Sequence, residues 1–225
     1  MTPRVEGPTR ARQAGELKLA LPGGALWGET LDALDAAGVD TAALRSDSRS
    51  LTHSVDGLTL ITMRPSDVPT YVEAGAADLG ITGKDVLLEQ RDRVVYELLD
   101  LRYGACRMVL AGRQDDESLG ESERRLGAMR IATKYPRIAE RYFEDTGRAA
   151  EVIEVKGSVE LAPLVGLADG IVDLVGTGRT LRENGLEVRE EICPSTARLI
   201  ANRVSHKLRV SELDELIERL REATR

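Results

Sequence analysis

The residues with the clearest chemical capacity are Gly176-Thr177-Gly178-Arg179-Thr180, which follow directly on the apolar run Ile171-Val172-Asp173-Leu174-Val175. β-Branched residues dominate that run and glycines bound it, so it reads as a short buried strand entering a tight loop and then a helix. Two glycines let the backbone approach a ligand without Cβ atoms in the way. Thr177 and Thr180 add hydroxyls, and Arg179 adds a positive charge. Successive N–H groups at a helix N-terminus make a cavity for an anion, most often a phosphate. Asp169 and Asp173 lie just upstream, and carboxylates there suit the vicinal hydroxyls of a ribose or a hydrated Mg2+. Together these residues point to a sugar-phosphate site. A Gly-Thr-Gly turn between strand and helix also occurs as a plain turn, so the loop alone does not decide.

Two better-known phosphate motifs are excluded. Leu181 stands where a dinucleotide fingerprint needs its third glycine. Gly80-Ile81-Thr82-Gly83-Lys84-Asp85 looks like part of a P-loop, but Asp78 replaces the first glycine and Asp85 the Ser or Thr. Other positions carry weaker signals. Pro22-Gly23-Gly24 breaks a first strand and opens a helix, as a second anion site or a plain βα turn. Arg64 ends a strand, where open α/β sheets bind ligands; a surface ion pair is the alternative. Lys84 at a helix start opposes the helix dipole, which makes sense if a phosphate binds there. Lys134-Tyr135-Pro136 sits at a strand-to-helix turn, as Arg64 does. His53 and His206 have no motif around them.

The elements that must position these residues alternate. Strands are expected at 17–21, 58–63, 78–82, 94–99, 105–111, 130–133 and 151–155, ahead of the one at 171–175. Helices are expected at 26–37, 66–76, 84–90, 136–146 and 158–167, and a final amphipathic one from Ser211 to about Glu222. Residues 45–57 read as a loop or irregular edge, and 112–127 as a solvated loop or exposed helix. Residues 187–204 carry a long, partly alternating pattern interrupted by Pro194. Alternation of this kind implies an α/β fold with largely parallel sheets, in two lobes that meet at a cleft.

Composition narrows the classes. Of 225 residues, 42% are hydrophobic, ample for a core. A net charge of -7 argues against non-specific nucleic-acid binding, and 3% aromatics argues against base-stacking platforms. Cys106 and Cys193 lack metal-ligand spacing and are expected as free thiols in a reducing cytosol. No apolar run approaches the roughly 18 residues of a membrane span. Residues 1–15 are basic without an apolar stretch, so they read as a flexible tail rather than a signal peptide.

Glu160, Gly166-Leu167-Ala168, Ile171, Asp173-Leu174 and Thr177-Gly178-Arg179-Thr180-Leu181 resemble the signature of the ATP phosphoribosyltransferases, which open histidine biosynthesis. Segments 63–71, 78–85, 104–107, 132–136 and 155–158 are similar to family segments too, so the resemblance covers about residues 16 to 204. It implies a two-lobed, periplasmic-binding-protein-like (type II) α/β fold with mixed, mostly parallel sheets and a central cleft. Residues 16–104 with 194–225 would form domain I, and 105–193 domain II. It implies condensation of ATP, through N1, with 5-phosphoribosyl 1-pyrophosphate, using Mg2+, in the cytoplasm. The chain ends after one helix and so resembles the short form: a homodimer within a hetero-oligomer containing a histidyl-tRNA-synthetase-like regulatory subunit.

Carried to these positions, Gly176, Thr177, Gly178, Arg179 and Thr180 would hold the 5-phosphate. Asp173, with Asp169, would face the ribose hydroxyls, and Asp173 the Mg2+, through water. Gly23, Gly24, Arg64, Lys84, Arg107 and Lys134 would meet ATP or pyrophosphate. The resemblance assigns no general base. One departure stands out: the family turn carries a basic residue, whereas Pro22-Gly23-Gly24-Ala25-Leu26 has none. Lys18, Arg45 or Arg49 would then compensate, or the isolated subunit would be weak. Two alternatives are a two-lobed anion-binding protein without chemistry and a catalytically weak scaffold subunit.

Overall fold

The computed structural model describes residues 15–46, 50–114 and 127–225. In chain order its elements are β1 (Leu17–Pro22), a 3-10 turn (Gly24–Leu26), α1 (Trp27–Ala36), α2 (Ala42–Arg45), β2 (Thr52–Val55), β3 (Leu58–Met63), α3 (Val68–Glu73), β4 (Leu79–Gly83), α4 (Lys84–Glu89) and β5 (Val95–Asp100). There follow β6 (Cys106–Arg113), β7 (Met129–Thr133), α5 (Pro136–Asp145), β8 (Ala150–Glu154), α6 (Leu161–Leu164), β9 (Gly170–Val175), α7 (Arg179–Glu183), β10 (Leu186–Ser195), β11 (Ala197–Asn202), α8 (Arg203–Leu208) and α9 (Val210–Ala223).

The strands form two sheets. Lobe I holds six in the order β2-β3-β1-β4-β11-β5, and lobe II five in the order β10-β6-β9-β7-β8. Both sheets are mixed. Parallel pairs hold the centre of lobe I, β3-β1-β4, and one side of lobe II, β9-β7-β8. The remaining five pairings are antiparallel. Helical return connections dictate the parallel pairs; the antiparallel ones come from β2, β6, β10 and β11, which are joined differently.

Each sheet is buried on both faces, which is why its central strands are apolar nearly throughout. Leu19, Leu21, Leu79, Ile81 and Leu199 pack under α1 and α9. The stripe Leu213, Leu216, Ile217 and Leu220 gives α9 a single apolar face. On the other face, Val68 and Val72 of α3 press so close that a Cβ at Gly80 would lie within 2.7 Å of both side chains. In lobe II, Met108, Leu110, Ile131, Ile138 and Phe143 fill one face. Val109, Ala111, Ile171, Val175 and Leu181 fill the other.

The chain crosses between lobes twice, at 101–105 and at Ser195-Thr196. The crossings are hydrogen-bonded to each other: the Leu101 N–H donates to Ala197 O (2.9 Å) and the Ala197 N–H to Tyr103 O (3.0 Å). The Asp100 carboxylate gathers the Arg102 N–H (2.9 Å) and the Thr196 hydroxyl (2.8 Å). That grip holds Arg102 at φ +63°, a conformation costly for a side-chain-bearing residue.

Four sequence expectations change. The sheets are mixed, with five antiparallel pairings against four parallel ones, rather than mostly parallel. Residues 52–55 form an edge strand rather than a loop. The helix expected over 158–167 shrinks to the single turn of α6, where no side chain caps the start. The pattern over 187–204 resolves into β10 and β11, which belong to different lobes. The tail at 1–14, Arg49 and residues 115–126 lie outside the described residues.

Candidate active site in the interlobe cleft

A cleft of about 750 Å³ opens between the lobes. Lobe I contributes Ala25, Leu26, Glu29, Arg64, Gly83 and Asp85; lobe II contributes Lys134, Tyr135, Leu174 and Gly176. The crossings supply Gly104, Ala105, Ser195 and Thr196, and Cys106 at the start of β6 adjoins them. Arg64 and Lys134 are exposed into it from opposite lobes. Among the described residues, neither has a carboxylate within ion-pair distance. Two cations lining one cleft from opposite lobes suit an anionic ligand.

The loop after β9 is open. A Cβ at Gly176 would meet nothing within 4 Å, and Gly178 sits at φ +72°, which glycine adopts without strain. The Thr177 hydroxyl accepts the Arg179 N–H (3.4 Å), and Thr177 O accepts from Arg182 Nη1 (3.1 Å). These bonds shape the loop and leave its outer side to solvent. Asp173, near the end of β9, accepts the Leu174 N–H at 2.9 Å. Burial raises its carboxyl above the ordinary carboxylate range, against the opposing effects of that hydrogen bond and the Lys134 charge.

The corresponding turn in lobe I is filled by the protein itself. Asp85 is buried, its carboxylate folded back over Gly83, whose added Cβ would collide with Asp85 Oδ1. Ser195 Oγ donates to that oxygen (2.9 Å) while accepting the Asp85 N–H (3.0 Å). Tyr135, from lobe II, stands close enough to Asp85 for the two groups to interact electrostatically. Burial pushes the Tyr135 hydroxyl far up, and the Asp85 and Asp173 charges push it further, so it stays a donor. Burial and the Asp85 charge likewise push the Cys106 thiol up, which keeps it out of its nucleophilic form.

A two-lobed cleft, an open glycine loop and facing cations fit a transferase of anionic substrates, and comparison with known proteins gives the family. The family model described as ATP phosphoribosyltransferase (HisG) matches residues 64–222. An ATP phosphoribosyltransferase of Rubrobacter xylanophilus is 56% identical over 204 residues, spanning 89% of this chain and 93% of that one. The chain belongs to the ATP phosphoribosyltransferase family. In the solved ATP phosphoribosyl transferase (HisG:HisZ) complex from Thermotoga maritima, the similar chain is 37% identical at a TM-score of 0.76; the match covers 92% of this chain and 98% of that one. The periplasmic VFT2 domain of Bordetella pertussis BvgS, 13% identical with a TM-score of 0.58, matches 91% of this chain and 86% of its own. That likeness shows the type II two-lobed fold alone.

Against this family frame, the expected site residues divide. Gly176 lines the cleft, and Thr177, Arg179 and Thr180 continue outward as the exposed end of the loop. Asp173 is half-buried and not among the lining residues, but it is near enough to Lys134 and Tyr135 to interact with them electrostatically. The Arg179 guanidinium lies along its own helix, paired with Glu183 at 2.7 Å. Asp169 does not reach the loop. It precedes β9, whose six residues put roughly 20 Å between it and Gly176. There it is buried, accepting the Arg130 N–H and guanidinium, both at 2.8 Å.

Gly23 and Gly24 lie next to the lining residues Ala25 and Leu26, and the Gly23 N–H donates to Met63 O (2.7 Å). Lys84 is not among the lining residues: Glu97 of β5 takes its ammonium at 2.6 Å, so a carboxylate rather than a ligand answers the dipole mismatch. Arg107 is also turned away, onto Glu191 at 3.0 Å. The missing cation of the 22–26 turn is not supplied by Lys18, at the far end of β1, nor by Arg45, which is held by Asp32 and Asp35 at 2.7 Å each. Sequence reasoning missed Glu29, Asp85, Tyr135 and Ser195 as site residues. Asp85 and Tyr135 fell inside the matched segments 78–85 and 132–136; Ser195 carried no local signal.

Proposed function

We propose that the cleft binds ATP and 5-phosphoribosyl 1-pyrophosphate together and performs ATP phosphoribosyl transfer, the first step of histidine biosynthesis. The observation that carries this reading is the open loop Gly176–Thr180 at the end of β9, which follows Asp173 and enters, at Gly176, the same cleft as Arg64 and Lys134. The loop amides and the Thr177 and Thr180 hydroxyls take the 5-phosphate. Asp173 accepts from the ribose hydroxyls. Arg64 and Lys134 take the pyrophosphate or the ATP phosphates.

In the reaction, the N1 lone pair of adenine forms the new bond to C1′, and the C1′–O bond breaks with its electron pair leaving on pyrophosphate. Positive charge builds on the ribose ring as that bond breaks. Orientation by two lobes and fixed charges supplies most of the rate, and no side-chain base is required to start it. Among the described residues, no group of three or more His, Cys, Asp or Glu is gathered to hold a metal. A single carboxylate, Asp173, fits Mg2+ nonetheless, because this ion keeps several waters and binds through one or two carboxylates plus substrate phosphates. Held there by Asp173 and water, Mg2+ would supply positive charge to offset that of the pyrophosphate. Among the described residues no helix is long and apolar enough to cross a membrane; we place the protein in the cytoplasm. The Thermotoga maritima relative was solved as a HisG:HisZ complex, and we propose a matching assembly here, a homodimer with a histidyl-tRNA-synthetase-like regulatory subunit.

Pyrophosphate release by the purified chain, alone and with that subunit, tests the reading. Release is expected to need ATP, phosphoribosyl pyrophosphate and Mg2+ together. No release from folded chain in either setting would overturn it.

A further inference from the structure

The helix α4 lies across the boundary between the lobes. Leu87 packs with Val68 and Val72 in lobe I, while its neighbour Leu88 packs with Ile138 and Phe143 in lobe II. At the end of α4, Glu89 reaches the first turn of α5. Its Oε1 accepts the Arg137 N–H and its Oε2 the Ile138 N–H, both at 3.1 Å. The Arg137 guanidinium turns back onto Asp92 at 2.6 Å. Amides in the first turn of a helix have no acceptor within it, and a negative charge suits that end of the dipole. No side chain at the α5 N-cap position, Tyr135, makes a capping bond. The helix therefore takes its cap from the other lobe.

The consequence bears on the cleft. Lys134 and Tyr135, which line it from lobe II, are the two residues directly before α5. Fixing the start of that helix against Glu89 fixes where both side chains stand relative to Arg64 and Asp85 of lobe I. The cap exists only at this separation of the lobes, since an opening of an ångström or two takes both bonds beyond hydrogen-bond length.

We propose that Glu89 is a positioning residue for phosphoribosyl transfer: it caps α5 across the lobe boundary and thereby sets Lys134 and Tyr135 against the lobe I wall. The inference rests on the function proposed above. It is tested with Glu89→Ala and Glu89→Gln in the full chain, with the regulatory subunit if activity needs it. Steady-state kinetics and amide hydrogen exchange of the 134–140 segment are read together.

In Glu89→Ala, kcat/KM is expected to fall on the order of tenfold, the scale of a lost helix cap, with KM raised for both substrates. The Arg137 and Ile138 amides exchange faster. Glu89→Gln keeps one carbonyl acceptor and should recover part of both readouts. Wild-type kinetics in Glu89→Ala would overturn the proposal, as would unchanged amide protection. An activity loss that only tracks the unfolded fraction and vanishes on cooling would also overturn it. Absence of pyrophosphate release in the wild type would overturn the function instead, while amide exchange still reads the cap by itself.

Discussion

Both lobes run an aspartate, a strand, glycine and a short helix in series, and use the strand-to-helix junction in opposite ways. In each, an aspartate preceding a strand grips the neighbouring parallel strand. Asp78 accepts the Lys18 N–H at 3.0 Å and Asp169 the Arg130 N–H at 2.8 Å. Each strand then runs to a glycine and a short helix, Gly83 into α4 and Gly176–Gly178 into α7. In lobe I the space over the turn holds the Asp85 carboxylate, tied down by Ser195. In lobe II the space is open. The same order of elements becomes scaffolding where the protein supplies the anion, and a candidate site where the space is left open.

The largest effect expected from this contrast separates the two aspartates of the β9 region. Asp173→Ala should lower kcat/KM about a hundredfold, the scale of one lost hydrogen bond to a charged group, with little loss of stability. Asp169→Ala should leave the KM of the folded enzyme unchanged and lower stability by about 1–3 kcal/mol, because the Arg130 N–H loses its acceptor. Kinetics beside denaturant titration checks both, and reversed outcomes would erase the distinction between the turns.

The glycines come next. Gly83→Ala forces Asp85 away and strands the Ser195 hydroxyl, a loss of about 1–3 kcal/mol. The melting temperature would fall by about 2–4 °C for each kcal/mol. Gly176→Ala meets open space, so its melting temperature should stay put while KM for phosphoribosyl pyrophosphate rises. A smaller contrast sets Arg64 against Lys84. Arg64→Ala should raise a substrate KM roughly tenfold by removing a charged contact. Lys84→Ala loses only its half-exposed bridge to Glu97 and should change KM little.

The smallest expected effect is a dependence on pH. Burial raises the Asp173 carboxyl above its unfolded value. A raised folded value means the protonated form is favoured by folding, so this stabilisation is present at low pH and lost as pH rises through the folded value. Asp173→Asn should therefore melt slightly above the wild type at neutral pH. The gap should close as pH falls through the carboxylate range. A gap that widens on acidification would reverse the assigned sign.

What was legible in the sequence was local. The run 171–175, its glycine loop and the inward Asp173 form one contiguous stretch whose alternation and turn residues determine its shape. Asp169 looked equivalent to Asp173 because only four positions separate them, but an extended strand turns sequence proximity into distance along its axis. Lys84 looked in need of a phosphate because its helix was considered alone; Glu97, thirteen residues on and two strands across the sheet, answers it. The pairing of Asp85 with Ser195 spans 110 residues and leaves no periodic trace. Apart from the local hairpin β2–β3, antiparallel pairing was similarly hidden, since β6, β10 and β11 are placed by where the crossings at 101–105 and 195–196 send the chain.

The position of β11 has a consequence for the order in which the molecule is made. It lies between β4 and β5, yet it is the last strand of the chain. A nascent chain emerging to residue 195 already carries every strand of the lobe II sheet, whereas the sheet of lobe I still has a gap inside it. The lobe that begins first is thus completed second, and β4 and β5 must wait on the ribosome for the strand that joins them.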